Sequence, residues 1–117
     1  MTARALARIF VDDLAAALPL YRALADDAAP RLFEFGDVQL AWVGPFLLLE
    51  APPARRAQLD RAATVLVENM EATVHELERY GGSVLEPPAP GPNGRRMVAR
   101  HPDGAVLEYI EVPATDR

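Results

Sequence analysis

Phe10-Val11-Asp12-Asp13-Leu14 and Leu66-Val67-Glu68-Asn69-Met70 describe the same structural event twice. In each, an apolar strand end runs into two polar residues, the second of which can cap a helix, and then into the first apolar residue of that helix. The offset is 69 − 13 = 56 residues, and matching Leu48-Leu49-Glu50 to Val106-Leu107-Glu108 gives 108 − 50 = 58. An internal repeat of about half the chain follows, with two residues of loop taking up the difference.

Outward from the first motif, Ala7 to Val11 reads as a strand, and Leu14, Leu18, Tyr21 and Leu24 recur at helical spacing after Asp13. Pro19 lies inside that helix, where it removes a backbone hydrogen bond and kinks the axis. From Arg31 the period becomes two. Arg31 to Phe35, Val38 to Val43 and Phe46 to Glu50, separated by Gly36-Asp37 and Gly44-Pro45, make an antiparallel meander. Residues 51–61 read as a linker. Ala62 to Val67 is then a strand, and Asn69 opens a helix whose stripe is Met70, Val74, Leu77 and Tyr80 and whose end is Gly81-Gly82. Ser83 to Glu86, Arg95 to Arg100 and Ala105 to Val112 are strands, with a Pro- and Gly-rich loop from Pro87 to Gly94. The expectation is an α+β single domain of two tandem βαβββ modules, module one 1–51 and module two 62–113. Each half has one helix and a one-sided sheet, so pairing the halves is the economical way to cover both.

Composition removes several functions. The 117 residues are 50% hydrophobic and 25% charged, the balance of a folded globular protein. Seventeen acids against 12 bases leave a net charge of −5 and no basic run, which argues against nucleic acid. The absence of Cys excludes thiolate metal sites and thiol nucleophiles, and because all the basic residues are Arg, a Schiff-base lysine is excluded too. No apolar stretch approaches about 20 residues, so no membrane span is expected and the location expected is cytoplasmic.

The chain resembles the vicinal oxygen chelate superfamily, the fold of glyoxalase I, extradiol dioxygenases and the fosfomycin- and bleomycin-resistance proteins. The residues that carry the resemblance are Val11-Asp12-Asp13-Leu14 leading to Leu20-Tyr21-Arg22, Val67-Glu68-Asn69-Met70, and Arg100-His101-Pro102-Asp103-Gly104-Ala105-Val106-Leu107-Glu108. The last is similar to the superfamily's D-P-D-G turn before a Glu-bearing strand, with His101 in place of the first Asp. The resemblance implies a curved sheet around a cleft, helices on the outer face. It also implies a metal held by a His seven positions before each helix cap and by a Glu in each last strand. Those positions are Leu6 and Ala62 for the histidines, and Glu50 and Glu108 for the glutamates. Two carboxylates without imidazole make a weak site for a first-row metal, so neither a metal nor another cofactor is expected.

Period-two alternation places Leu6, Arg8 and Phe10 on one face of the first strand, and Ala62, Thr64 and Leu66 on one face of the fifth. The same counting turns Phe46, Leu48 and Glu50, and Val106, Glu108 and Ile110, toward the cleft that the resemblance implies. Glu108, Glu50 and Arg8 are the candidate catalytic groups. A guanidinium beside two carboxylates lowers their pKa values, and apolar walls raise them. Phe10, Phe33, Phe35, Trp42, Leu6, Ala62 and Thr64 are the candidate ligand contacts, the aromatics offering a stacking surface. Each has a plain structural reading as well: Glu50 as a solvated strand end, Arg8 as a snorkelling edge residue, and the aromatics as core. His75 reads as a surface residue and His101 as a loop residue.

Three functions remain open on the sequence. The first is a protein similar to the glyoxalase and bleomycin-resistance group that binds a small organic molecule without the superfamily's metal. The second is a metal-independent isomerase, cyclase or lyase using Glu50 and Glu108. The third is a metal-dependent lyase or dioxygenase with other ligands. The partner expected besides the small molecule is a second copy of the chain, as a homodimer.

Overall fold

The computed structural model describes residues 3–113. It contains eight strands and three helices in the order β1 (Ala3–Phe10), α1 (Leu14–Leu24), β2 (Arg31–Phe35), β3 (Val38–Val43), β4 (Phe46–Glu50), α2 (Pro53–Leu59), β5 (Thr64–Val67), α3 (Met70–Arg79), β6 (Ser83–Ala89), β7 (Arg96–Arg100) and β8 (Val106–Glu111). The α+β architecture of two βαβββ halves is therefore present. The chain divides into two compact units: a first of residues 6–60, and a second of residues 61–113 that also takes in residues 3–5.

In the first unit β1 runs parallel to β4, with Ala7 opposite Phe46 and Phe10 opposite Leu49, and β4, β3 and β2 form the expected antiparallel meander. Side chains on one face of this sheet pack against α1: Leu14 with Ala41, Val43 and Leu48, joined by Ile9, Val11, Leu18, Tyr21 and Phe46. Tyr21 and Phe46 meet edge to face at 5.0 Å between centroids. Phe46 and Leu48 therefore face the helix. This reverses the expectation that β4 turns these two residues and Glu50 to the side shared by Leu6, Arg8 and Phe10.

The second unit repeats the plan. β5 runs parallel to β8, with Thr64 opposite Glu108 and Val67 opposite Glu111, while β8, β7 and β6 are antiparallel neighbours. Val65, Val67, Met97, Ala99 and Tyr109 bury against α3 through Met70, Val74 and Leu77.

Backbone pairing also corrects the repeat register. Phe10 and Leu66 are equivalent through the 56-residue offset, and they pair with Leu49 and Ile110. Leu49 thus matches Ile110, Glu50 matches Glu111 at 111 − 50 = 61, and Glu108 matches Leu47. Matching Leu-Leu-Glu to Val-Leu-Glu was a likeness of letters that hydrogen bonding does not follow. The second half is longer between cap and last strand, 111 − 69 = 42 residues against 50 − 13 = 37, and the excess lies around the Pro-rich segment before β7.

Two elements differ from the expectation in kind. The linker holds a helix, α2, with Pro53 at its start, where proline's fixed φ suits the first turn and its missing N–H costs nothing. β6 continues through Pro87 and Pro88 to Ala89, with register shifts between Val84 and Glu86 and between Glu86 and Ala89. Proline is tolerated there because β6 is a terminal strand of its sheet and the shifts mark irregular pairing.

Candidate functional site

Strand alternation sorts the candidate residues by face. In the first unit, Leu6, Arg8 and Phe10 of β1, Phe33 and Phe35 of β2 and Trp42 of β3 share the face opposite α1, since Phe33 pairs with Leu40, Phe35 with Val38 and Trp42 with Leu47. Leu6 is fully buried, Phe10, Phe33 and Trp42 are half-buried, and Phe35 is exposed. Two guanidinium groups lie on this aromatic row, Arg31 at 4.7 Å from the Trp42 ring centroid and Arg56 at 5.6 Å from that of Phe10. The indole N–H of Trp42 donates to the Gly44 carbonyl at 2.9 Å. Arg8 donates from Nη2 to the carbonyl of Leu59, the last residue of α2, at 2.6 Å.

Glu50 lies apart from that row. Its Oε1 accepts the backbone N–H of Leu14 at 2.7 Å, so its carboxylate caps the start of α1.

In the second unit, Thr64 and Glu108 come together on the face opposite α3. The Thr64 hydroxyl donates to Glu108 Oε1 at 2.9 Å, and Arg96 Nε donates to Glu108 Oε2 at 3.0 Å. The chain of charges continues from Arg96 to Glu86 at 3.6 Å and from Glu86 to Arg61 at 3.3 Å. Glu108 and Arg96 keep 13% and 20% of their side-chain surface exposed, little enough for the pair to be mostly desolvated and enough for a ligand to touch. Ala62 is exposed at the entry to β5.

Arg61, Glu86 and Arg96 were not among the sequence candidates. The signal for Arg96 was available: Arg96, Val98 and Arg100 alternate along β7, and the turn before β8 brings Val98 opposite Glu108.

On the opposite, helix-covered face of the second unit, His101 Nε2 and the Tyr109 hydroxyl are 2.5 Å apart. Burial pushes the Tyr109 phenol above its ordinary range, so it stays neutral at pH 7. His75 is exposed on α3, as its polar neighbours indicated.

The metal that the resemblance implies does not fit these residues: Leu6 and Ala62 present hydrocarbon at the positions expected to carry imidazole, and Glu108 is held by a guanidinium and a hydroxyl. Among the described residues, no three His, Cys, Asp or Glu side chains converge. Nor is any helix among them long and apolar enough to cross a membrane.

No family model matches the sequence, and no curated protein does. Solved structures do match. An uncharacterised protein from Methanosarcina mazei is 33% identical over 96% of this chain and 94% of its own, with a TM-score of 0.87. A Streptomyces coelicolor methylmalonyl-CoA epimerase in complex with 2-nitronate-propionyl-CoA is 19% identical, with 97% of each chain covered and a TM-score of 0.64. The epimerase from Mycobacterium tuberculosis is 17% identical over 95% of this chain and 89% of its own, at 0.62. These epimerases are vicinal oxygen chelate proteins, and at such identities the likeness shows a shared fold.

Proposed function

We propose that this chain, which belongs to the same family as the uncharacterised Methanosarcina mazei protein, binds a small organic molecule on the helix-free face of its second unit without a superfamily-type metal. One observation carries the reading: Glu108, where the resemblance implies a glutamate ligand, is engaged by Arg96 at 3.0 Å and Thr64 at 2.9 Å. A carboxylate committed to a guanidinium has its charge compensated and is a poor starting point for a divalent ion. Together with Glu86 and Arg61, the pair offers a ligand both donors and acceptors, next to the half-buried side chains of Val106 and Ile110. The aromatic row of Phe10, Phe33, Phe35 and Trp42 in the first unit is a second surface for a flat ligand, in keeping with the glyoxalase and bleomycin-resistance group. A homodimer and a cytoplasmic location remain part of this reading.

A second reading, acid–base catalysis, is favoured by the Thr64–Glu108 contact, because a half-buried carboxylate with a hydroxyl neighbour can exchange protons with a bound substrate. Glu108 is then the proton-transfer group. Glu50 and Arg8 stay candidates for that chemistry only if the Leu14 and Leu59 contacts open.

Native mass spectrometry and metal analysis of protein purified without chelator test the first reading, alongside thermal-shift screening of organic ligands for Glu108→Gln and the parent. The expected result is a stabilising organic ligand retained by Glu108→Gln, with no stoichiometric transition metal. Stoichiometric zinc, nickel, iron or manganese overturns it. A ligand that is turned over by the parent and bound but unchanged by Glu108→Gln moves the conclusion to the second reading.

A further inference from the structure

We propose that the second unit carries a separate pocket, on the helix-covered side of its sheet, for a small amine with an apolar body. The hollow of about 290 Å³ lies between α3 and the turn before β8, just under the usual range for ligand sites, so it suits a compact molecule. Val67, Leu77 and Pro102 provide hydrocarbon walls, and the rings of Tyr80 and Tyr109 add aromatic ones.

Charge selects the ligand. Glu76 is the one carboxylate in the lining, which holds no Arg or Lys, and among the described residues it makes no ion pair. An ammonium group there meets an uncompensated negative charge in a chain whose net charge is −5, whereas a carboxylate is repelled. Of the other polar side chains of the lining, Tyr109 and His101 bond each other and the Thr73 hydroxyl donates to the Asn69 carbonyl at 2.9 Å, while Tyr80 adds a hydroxyl at the exposed rim, so the body of the ligand can be largely apolar. Tyr80, the residue that ends α3, is 65% exposed, so its ring is open to a ligand. Arg79 stands 5.2 Å from its ring centroid, so the ring already has a cation, and the ammonium is assigned to Glu76.

Thr64 and Glu108 point to the other face of the same sheet, which makes this site independent of the one proposed above.

The test is an amide NMR titration with 2-phenylethylamine, 2-phenylethanol and 3-phenylpropionate as cationic, neutral and anionic probes of one shape. The amine is expected to shift Leu77, Tyr80, His101 and Tyr109 saturably and to bind more tightly than the alcohol, with the acid weakest. Glu76→Gln should weaken the amine roughly two- to fivefold, the range of a partly exposed ion pair, and leave the alcohol unchanged. Tyr80→Ala, at an exposed position that does not threaten the fold, should weaken all three. Equal affinity for amine and alcohol, or an unchanged amine affinity in Glu76→Gln, overturns the proposal. So do shifts confined to Thr64, Arg96 and Glu108, an outcome that leaves the earlier site standing.

Discussion

The two units build the same joint and reinforce it differently. In each, the helix starts at a side-chain cap, Asp13 accepting from Ala16 at 3.1 Å and Asn69 accepting from Ala72 at 2.9 Å. In each, a glutamate from the end of the parallel partner strand takes the first helical N–H: Glu50 from Leu14 at 2.7 Å, and Glu111 from Met70 at 2.6 Å. Two of the four amides left open at the start of each helix are thereby satisfied, by opposite ends of the βαβββ fold. The difference is Arg95. It donates to Glu111 at 3.1 Å and to Glu71 of α3 at 2.7 Å, tying strand, helix and loop together. Glu50 has no such guanidinium among the described residues. A duplicated fold thus keeps its geometrical requirement in both copies, while the supporting electrostatics have diverged.

The largest effect should come from the shared part. Leu48 in the first unit and Met97 in the second are both fully buried against their helices. Leu48→Ala and Met97→Ala should each cost about 2–5 kcal/mol, since truncation leaves a cavity that neighbours only partly fill. Chemical denaturation measures both. If only one of the two lowers the midpoint, the units do not contribute equivalent cores.

Next is a change that touches the second unit alone. Gly94 has φ +131°, and a side chain there would collide with the backbone carbonyl of Glu111. Gly94→Ala should cost about 1–3 kcal/mol, from the strained backbone and from displacing the loop that delivers Arg95. Gly36→Ala, at φ +61° with open space around it, isolates the backbone component in the first unit. Equal losses at the two positions would mean that the contact with Glu111 contributes nothing.

Glu50→Ala and Glu111→Ala compare the two carboxylates directly. Each should cost about 1–2 kcal/mol for an uncapped first amide, with Glu111 the more expensive because Arg95 also loses a partner. A double variant with Arg95→Met should shrink the excess at Glu111 and leave Glu50 unaffected.

The sequence made the duplication and most strands readable because two hydrophobic periods, 2 and 3.6, alternate cleanly, and because Asp13 and Asn69 mark both helix starts. It hid the role of Glu50, since pairing register is a property of two strands at once. Leu-Leu-Glu fits equally well in either phase until Phe10 is seen opposite Leu49. α2 was masked by Pro52-Pro53, which reads as a loop unless Pro53 is taken as a first-turn residue. Glu108 was visible from the turn before it, but its partners Thr64 and Arg96 come from strands 44 and 12 residues away, a closeness only the sheet creates.

The finest contrast between the units is their response to acid. Hydrogen bonds from Arg95 and from the Met70 N–H hold the Glu111 carboxyl below its ordinary value of 4.5, and Arg95 holds Glu71 below it as well. A carboxyl whose folded pKa is depressed contributes stability that is complete above its unfolded value, near 4.5, and that is lost as pH falls through the folded one. Melting temperature should therefore be flat from pH 7 to about 5 and decline below that, and Arg95→Met should flatten part of the decline by bringing both carboxyls back toward their unfolded behaviour. The ion pair is open to solvent, so raising the salt to 1 M should reproduce part of the Arg95→Met effect in the parent protein. An acid limb identical in the parent and in Arg95→Met would show that the electrostatic difference between the two halves has no thermodynamic weight.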